Sequence, residues 1–203
     1  MLNYGEHVRE TNREINEKPT FFLRFPESQV AHGEAIMRPR ESTMLDYEGE
    51  LAIIIGKGGR RIAEEDIWDH IIGYAPYNDG SVRDWQRHSQ QWDPGKNFWK
   101  TGGFGPWMVT SDEIEPNKVM QVTTRLNGEI LQQATTDMMI HSIARQVAYT
   151  STVAPLSPGD VIVTGTPGGV GARRDPQVWM KPGDVVEIEI EGVGTLTNRI
   201  EQD

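Results

Sequence analysis

The sequence predicts a mainly β domain of the α+β class, with short helices at its periphery. Three observations point there. Glycine and proline number 21 and 12 in 203 residues, a turn-rich content that suits many short strands. The apolar run at residues 51–55 has strand length and is closed by Gly56, Gly58 and Gly59. Near the end, Pro158-Gly159-Asp160 and Pro182-Gly183-Asp184 each turn the chain into an apolar segment, as strand-initiating turns do.

Taken in order, residues 1–20 are polar, with the sparse apolar anchors Leu2, Tyr4, Val8 and Ile15. They read as a weak helix stopped by Pro19. Residues 20–25 form an aromatic strand candidate ended by Pro26, and residues 51–55 a buried strand. Residues 63–72 place Ile67, Trp68, Ile71 and Ile72 at helical spacing and predict a helix. A strand follows at 74–78, then an irregular loop with a helical turn at 83–100. Strands are expected at 107–110 and 121–127, where Asn127-Gly128 is a hairpin signal. Thr136 or Asp137 is expected to cap a helix bearing Ile140, Ile143, Ala144 and Val147. Residues 161–164, 185–190 and 194–200 complete the strands, the last two as a hairpin. No linker-like stretch divides the chain, so residues 1–203 read as one domain.

Composition excludes several classes of function. A net charge of −10 repels phosphate backbones and argues against a nucleic-acid partner. The absence of cysteine removes disulfides, thiolate nucleophiles and Cys-ligated zinc. No apolar run approaches a membrane span, and the start lacks a signal-peptide pattern, so a cytoplasmic protein without a membrane partner is expected.

Glu48-Gly49-Glu50 leads into the 51–55 strand, and period two sets both carboxylates on one face. At about 5 Å two bare carboxylates repel by roughly 3 kcal/mol at an effective dielectric near 20, so a proton, a basic side chain or a divalent cation must offset them. A solvated acidic strand face is the plain alternative. Asp79 follows the 74–78 strand and is a turn residue unless it faces that pair. Three carboxylates with no Cys or His cluster form an all-oxygen donor set for Mg²⁺, Mn²⁺ or Ca²⁺. His7 and Glu10 share a face if their segment is helical, and Glu10 then orients His7 as a general base, or the two form an ordinary surface pair. Lys96, preceded by Gly95 in an aromatic setting, could place positive charge over an oxyanion, but most single lysines are solvated surface groups and the residues alone do not select it. The glycine-rich residues 164–171 lack the lysine of a P-loop and better suit a tight loop offering N–H groups and a Thr hydroxyl to a carboxylate.

Together these motifs resemble the fumarylacetoacetate hydrolase family. The resemblance rests on Asp46-Tyr47-Glu48-Gly49-Glu50-Leu51, Tyr77-Asn78-Asp79-Gly80-Ser81-Val82-Arg83-Asp84, Gly95-Lys96-Asn97-Phe98, Gly105-Pro106-Trp107, Leu126-Asn127-Gly128-Glu129 and Thr164-Gly165-Thr166-Pro167, in the family's order along nearly the whole chain. It implies a mixed, strongly bent β-roll with peripheral helices, assembled as a homodimer. It also implies Glu48, Glu50 and Asp79 as ligands of Mg²⁺ or Mn²⁺, Lys96 against a substrate oxygen, and Arg83, Gln86 and Thr166 as substrate-binding side chains. The segment Leu2-Asn3-Tyr4-Gly5-Glu6-His7-Val8-Arg9-Glu10 resembles the helical lid that carries the His–Glu dyad of hydrolytic and decarboxylating members. Many bacterial members carry several dozen residues ahead of that lid. Trp85, His88, Gln90, Trp92 and Trp99 make the surrounding loop unusually aromatic, which is expected to shape the substrate's far end.

The activity this implies is hydrolysis of a C–C bond in an acylpyruvate or other 2,4-diketo acid, within aromatic catabolism. His7 would activate water and the cation would stabilise the departing enolate. Decarboxylation or isomerisation of a related 2-oxo dicarboxylic acid, of oxaloacetate or hydroxymuconate type, is the alternative. A metal-dependent dicarboxylate-binding domain without turnover is a further one.

Overall fold

In the computed structural model, which describes residues 3–11 and 14–203, the chain runs through α1 (Gly5–Glu10), β1 (Gln29–Ala31), β2 (Ile36–Arg38), β3 (Leu45–Asp46), β4 (Gly49–Ile55), β5 (Ile71–Asn78), β6 (Ser81–Val82), α2 (Arg83–Gln86) and α3 (Asp93–Lys96). It continues through β7 (Gly102–Phe104), β8 (Val109–Thr110), β9 (Gln121–Leu126), β10 (Glu129–Thr135), α4 (Ile143–Val153), β11 (Val161–Val163), β12 (Val185–Ile190) and β13 (Gly194–Gln202). The expected class is therefore found: mostly β with few, short helices. Leu2, named above as an anchor, lies outside the described residues.

One sheet is ordered β1-β7-β5-β4-β11, with β8 also on β5, and the other β10-β9-β12-β13-β2. Both are mixed: β1 runs parallel to β7 and β13 parallel to β2, while the other pairs are antiparallel. Alternation explains the second sheet, since Val186, Ile188 and Ile190 of β12 point inward and Glu187 and Glu189 outward. The inward rows of both sheets, including Leu51, Ile53, Val122 and Ile188, merge into one apolar cluster.

At Gly49 the two sheets approach closely. A Cβ there would collide with Thr124 Oγ1 and press on Ile188. Gly49→Ala is expected to overpack this contact and cost about 1–3 kcal/mol, read as a lower urea midpoint. An unchanged midpoint would contradict the close approach.

Three expected elements differ. Residues 20–25 run extended but join no ladder; they lie over the site, with Phe22 and Arg24 turned inward. Residues 63–72 form a single 3₁₀ turn, Ile67–His70, that feeds directly into β5. Four apolar residues at helical spacing fit a short turn plus a strand start as well as they fit a helix, and Ile72 is exposed. The helix expected from Thr136 starts instead at Ile143, because Ser142 is the residue that caps it, accepting from Arg145 N at 3.2 Å. Thr136–Met138 is only a 3₁₀ turn, so Ile140 lies off the helix. Among the described residues no helix is long and apolar enough to cross a membrane.

Candidate metal centre and active site

Pairing of β4 with β5 brings the three acids together. Gly49 is opposite Asn78, so Glu48 and Asp79 meet just beyond the ladder, where Asp79 N donates to Glu48 O at 2.8 Å. Asn78 Oδ1 accepts from Glu48 N at 3.0 Å and pins the strand entrance. One oxygen each from Glu48, Glu50 and Asp79 lies within 4.8 Å of the others, and all three residues are buried.

Each carboxylate has a different environment. Burial would raise Glu48, but Lys96 and Arg83 outweigh it and hold its carboxyl well below the ordinary value. The contacts are direct, with Lys96 Nζ 2.7 Å from Glu48 Oε2 and Arg83 Nη1 2.7 Å from Oε1. Asp79 is bound on both oxygens, to Lys96 at 2.6 Å and to Arg24 at 2.6 Å. Among the described residues Glu50 has no basic partner. Its Oε2 accepts from Gly165 N, its Oε1 has no hydrogen-bond partner among them, and burial, with repulsion from Asp79 and Glu48, pushes its carboxyl up to about 8. A buried, unpaired oxygen beside two further carboxylates is the condition a hard dication relieves. The trio therefore fits a divalent cation by its donor chemistry as well as by its spacing.

The sign of the resulting pH dependence follows. Glu50 titrates higher in the fold than its ordinary 4.5, so the metal-free protein holds this contribution below that value and loses it as pH rises through about 8. The melting temperature of the metal-free protein is expected to fall between about pH 5 and pH 8 more steeply than that of Glu50→Gln. Parallel curves would contradict the assignment.

Beside the trio opens a cavity of about 450 Å³. His7, Glu48, Arg83, Gln86 and Lys96 line it. Helix α1 borders it through His7 and is held by Asn3, whose side chain donates to His141 O and Thr164 O and accepts from His141 N. His7 Nδ1 and Glu10 Oε1 are 2.5 Å apart, and Gly169 N donates to Glu10 Oε2 at 2.9 Å. Nδ1 is thereby committed, leaving Nε2 as the ring nitrogen available to a ligand. Arg83 is positioned by Asp46, with Nε to Oδ2 at 2.7 Å, and donates from Nη1 to Gln86 Oε1 at 3.0 Å. Its Nη2 has no hydrogen-bond partner among the described residues.

Thr166 sits differently. Its hydroxyl donates to Gly49 O and accepts from Gln132 Nε2 at 2.7 Å, and it does not line the cavity. Of the aromatic loop, Gln90 and Trp92 reach the cavity, whereas Trp85 packs edge-on against Phe98 and Trp99 is exposed.

Several site residues carry no signal in the sequence. Arg24 lies in the segment read as a strand, yet its guanidinium also reaches Gly80 O at 3.0 Å and Thr101 Oγ1 at 3.2 Å. Asp46 was visible only as part of a motif, although its oxygens take Gly171 N, Ala172 N and Arg83 Nε. Gln132 comes from the other sheet and donates to both Thr166 and Pro167 O.

The comparisons with known proteins agree with this geometry. Residues 1–201 match the model of the fumarylacetoacetate (FAA) hydrolase C-terminal family. The chain is 40% identical over 201 residues to a mitochondrial oxaloacetate tautomerase of Xenopus laevis, covering 98% of this chain and 63% of that protein. A human counterpart is 37% identical, with 98% and 64% covered. The chain thus spans a little under two thirds of the length of these curated relatives. Among solved structures, a fumarylacetoacetate hydrolase from psychrophilic Exiguobacterium antarcticum superposes with TM-score 0.90 at 38% identity, covering 99% of this chain and 73% of that one. A 5-carboxymethyl-2-hydroxymuconate delta-isomerase from Mycobacterium smegmatis gives 0.87 at 36%, covering 99% and 76%. These relatives are enzymes that act on small organic acids, and the sequence match and the shared fold run along essentially the whole chain. The chain belongs to the fumarylacetoacetate hydrolase family.

Proposed function

We propose that this site generates and reprotonates the enolate of a small 2-oxo acid, with Mg²⁺ or Mn²⁺ held by Glu48, Glu50 and Asp79. The observation that carries the reading is that His7, pinned by Glu10, lines the same cavity as Glu48, one member of a buried acidic trio that contains an unpaired oxygen. When bound, the divalent cation supplies the positive charge that lowers the energy of an enolate. The chain's own residues do the rest. Arg83 offers its unpartnered Nη2 to a substrate carboxylate. Lys96, buried against Glu48 and Asp79, adds positive charge beside the developing oxyanion. His7 Nε2 takes a proton and returns it, while Glu10 fixes the ring and offsets the charge it gains.

Two reactions use these parts. Keto–enol tautomerisation of an oxaloacetate-type acid needs only His7 to move a proton at the carbon next to the keto group. The oxaloacetate tautomerases at 37–40% identity favour this reaction. C–C hydrolysis of an acylpyruvate uses the same dyad to take a proton from water. Hydroxide then adds to the distal carbonyl, the C–C bond breaks, and a carboxylic acid and an enolate leave. The formed dyad and the similarity to a fumarylacetoacetate hydrolase favour that reaction. Assembly as a homodimer is part of the proposal.

The test is to supply Mg²⁺ with oxaloacetate and, separately, with acylpyruvates. Enol absorbance and solvent-deuterium incorporation report proton transfer, and the released acid reports cleavage. Faster enol–keto relaxation without released acid supports tautomerisation, and stoichiometric acid supports hydrolysis. Cation-dependent binding with neither signal would leave a binding domain and overturn the catalytic reading.

A further inference from the structure

We infer that Arg173 is a specificity-determining residue that takes a second anionic group of the substrate, so that the site selects 2-oxo acids carrying a further carboxylate. The inference rests on the 2-oxo acid reading above and names the substrate class within it.

The cavity is cationic in a chain whose net charge is −10. Arg83, Arg87, Lys96 and Arg173 line it, against Glu48 as the acidic lining residue. Three of these cations have interactions of their own: Lys96 with Glu48 and Asp79, Arg83 with Asp46 and Glu48, and Arg87 as well. Arg173 makes no ion pair or side-chain hydrogen bond among the described residues, although it borders the cavity.

Its backbone, by contrast, is held from both sides. Asp46, fully buried, accepts from Gly171 N at 2.8 Å and Ala172 N at 3.0 Å, the two amides preceding Arg173. Gly171 has no room for a side chain, since a Cβ there would strike Val178 O and press on Asp46. On the other side Arg174 is tied to Tyr47 Oη and Gly169 O at 3.1 Å each and also donates to Leu131 O. A buried carboxylate and a second arginine thus fix one turn, Gly171–Arg173, while the arginine at its end has no side-chain hydrogen bond or ion pair among the described residues. Asp46 also holds Arg83, so the proposed donors for the two ends of the substrate share one support. A fixed base with an unpaired guanidinium is suited to bidentate recognition of a carboxylate.

Arg173→Gln tests the assignment, because the side chain is exposed and the amide keeps much of its length without its charge. Dissociation constants are measured by calorimetry with Mg²⁺ for two matched series. One holds 2-oxo diacids (oxaloacetate, 2-oxoglutarate, 2-oxoadipate) and the other 2-oxo monoacids of the same lengths. The parent protein is expected to prefer diacids, and Arg173→Gln to shrink the diacid-to-monoacid preference by roughly tenfold or more, the scale of one charge-assisted contact. Arg173→Lys should recover part of it. A preference that survives Arg173→Gln overturns the inference, and so does a parent protein that binds both series equally well, which leaves the 2-oxo acid reading standing. Binding of neither series overturns both.

Discussion

Glu50→Gln is expected to lower affinity for Mn²⁺ by at least about 100-fold and to remove turnover with it, while leaving the metal-free protein as stable as before or more so. Loss of an outer-shell partner alone costs about 10–100-fold in metal affinity, so loss of a ligand charge sets a larger scale. The unusual half of the expectation is the stability. Glu50 has no basic partner among the described residues, so a neutral amide orphans no charge of theirs, keeps an oxygen for Gly165 N, and removes a carboxylate that burial already disfavours. Glu48→Gln should behave oppositely. It weakens cation binding and also strips Lys96 and Arg83 of a shared buried counter-charge, a loss on the order of 3–5 kcal/mol. Mn²⁺ titration and urea unfolding of the two variants separate these effects. Equal destabilisation by both would mean that Glu50 is paired in solution.

His7→Asn is expected to reduce kcat by about 10²–10⁴-fold with Mn²⁺ affinity unchanged. His7 reaches the cavity through the lid rather than through the sheets, and its ring is committed to Glu10 rather than to the trio. Glu10→Gln should give a smaller loss, because Gln can still accept from Gly169 N but no longer offsets charge on the imidazole. Steady-state kinetics alongside Mn²⁺ titration read the split. An unaffected kcat would remove His7 from the chemistry, and a lost cation would make its role structural.

The acidic centre was legible because two of its members obey the shortest rule a strand has: Glu48 and Glu50 are two apart at the mouth of an apolar run. Asp79 was legible from the strand before it, and the register of β4 with β5 supplies the distance that spacing alone lacks. Hairpin and turn chemistry also located β9 through Asn127-Gly128, where both residues adopt positive φ. What the sequence hid is what only closure of the chain creates. Arg24 approaches Asp79 across 55 positions, and Asp46 approaches Gly171 across 125. No local pattern distinguishes such residues from a solvated arginine or aspartate. The misplaced helix at residues 63–72 has a different origin. A single 3₁₀ turn running into a strand places Ile67, Trp68 and Ile71 at the same offsets as two helical turns, and spacing over so short a stretch does not separate the two. The same holds at Thr136, where the turn is real but the helix waits for Ser142.

The claim on which the functional reading stands is that three carboxylates, Glu48 just before β4, Glu50 within it and Asp79 just after β5, hold one dication. Anomalous diffraction from crystals grown with Mn²⁺ tests it directly. A single peak between Glu48, Glu50 and Asp79, about 2.0–2.3 Å from one oxygen of each, is the predicted result. Density for Lys96 Nζ still bridging Glu48 and Asp79, with no anomalous peak among the three carboxylates, would contradict it.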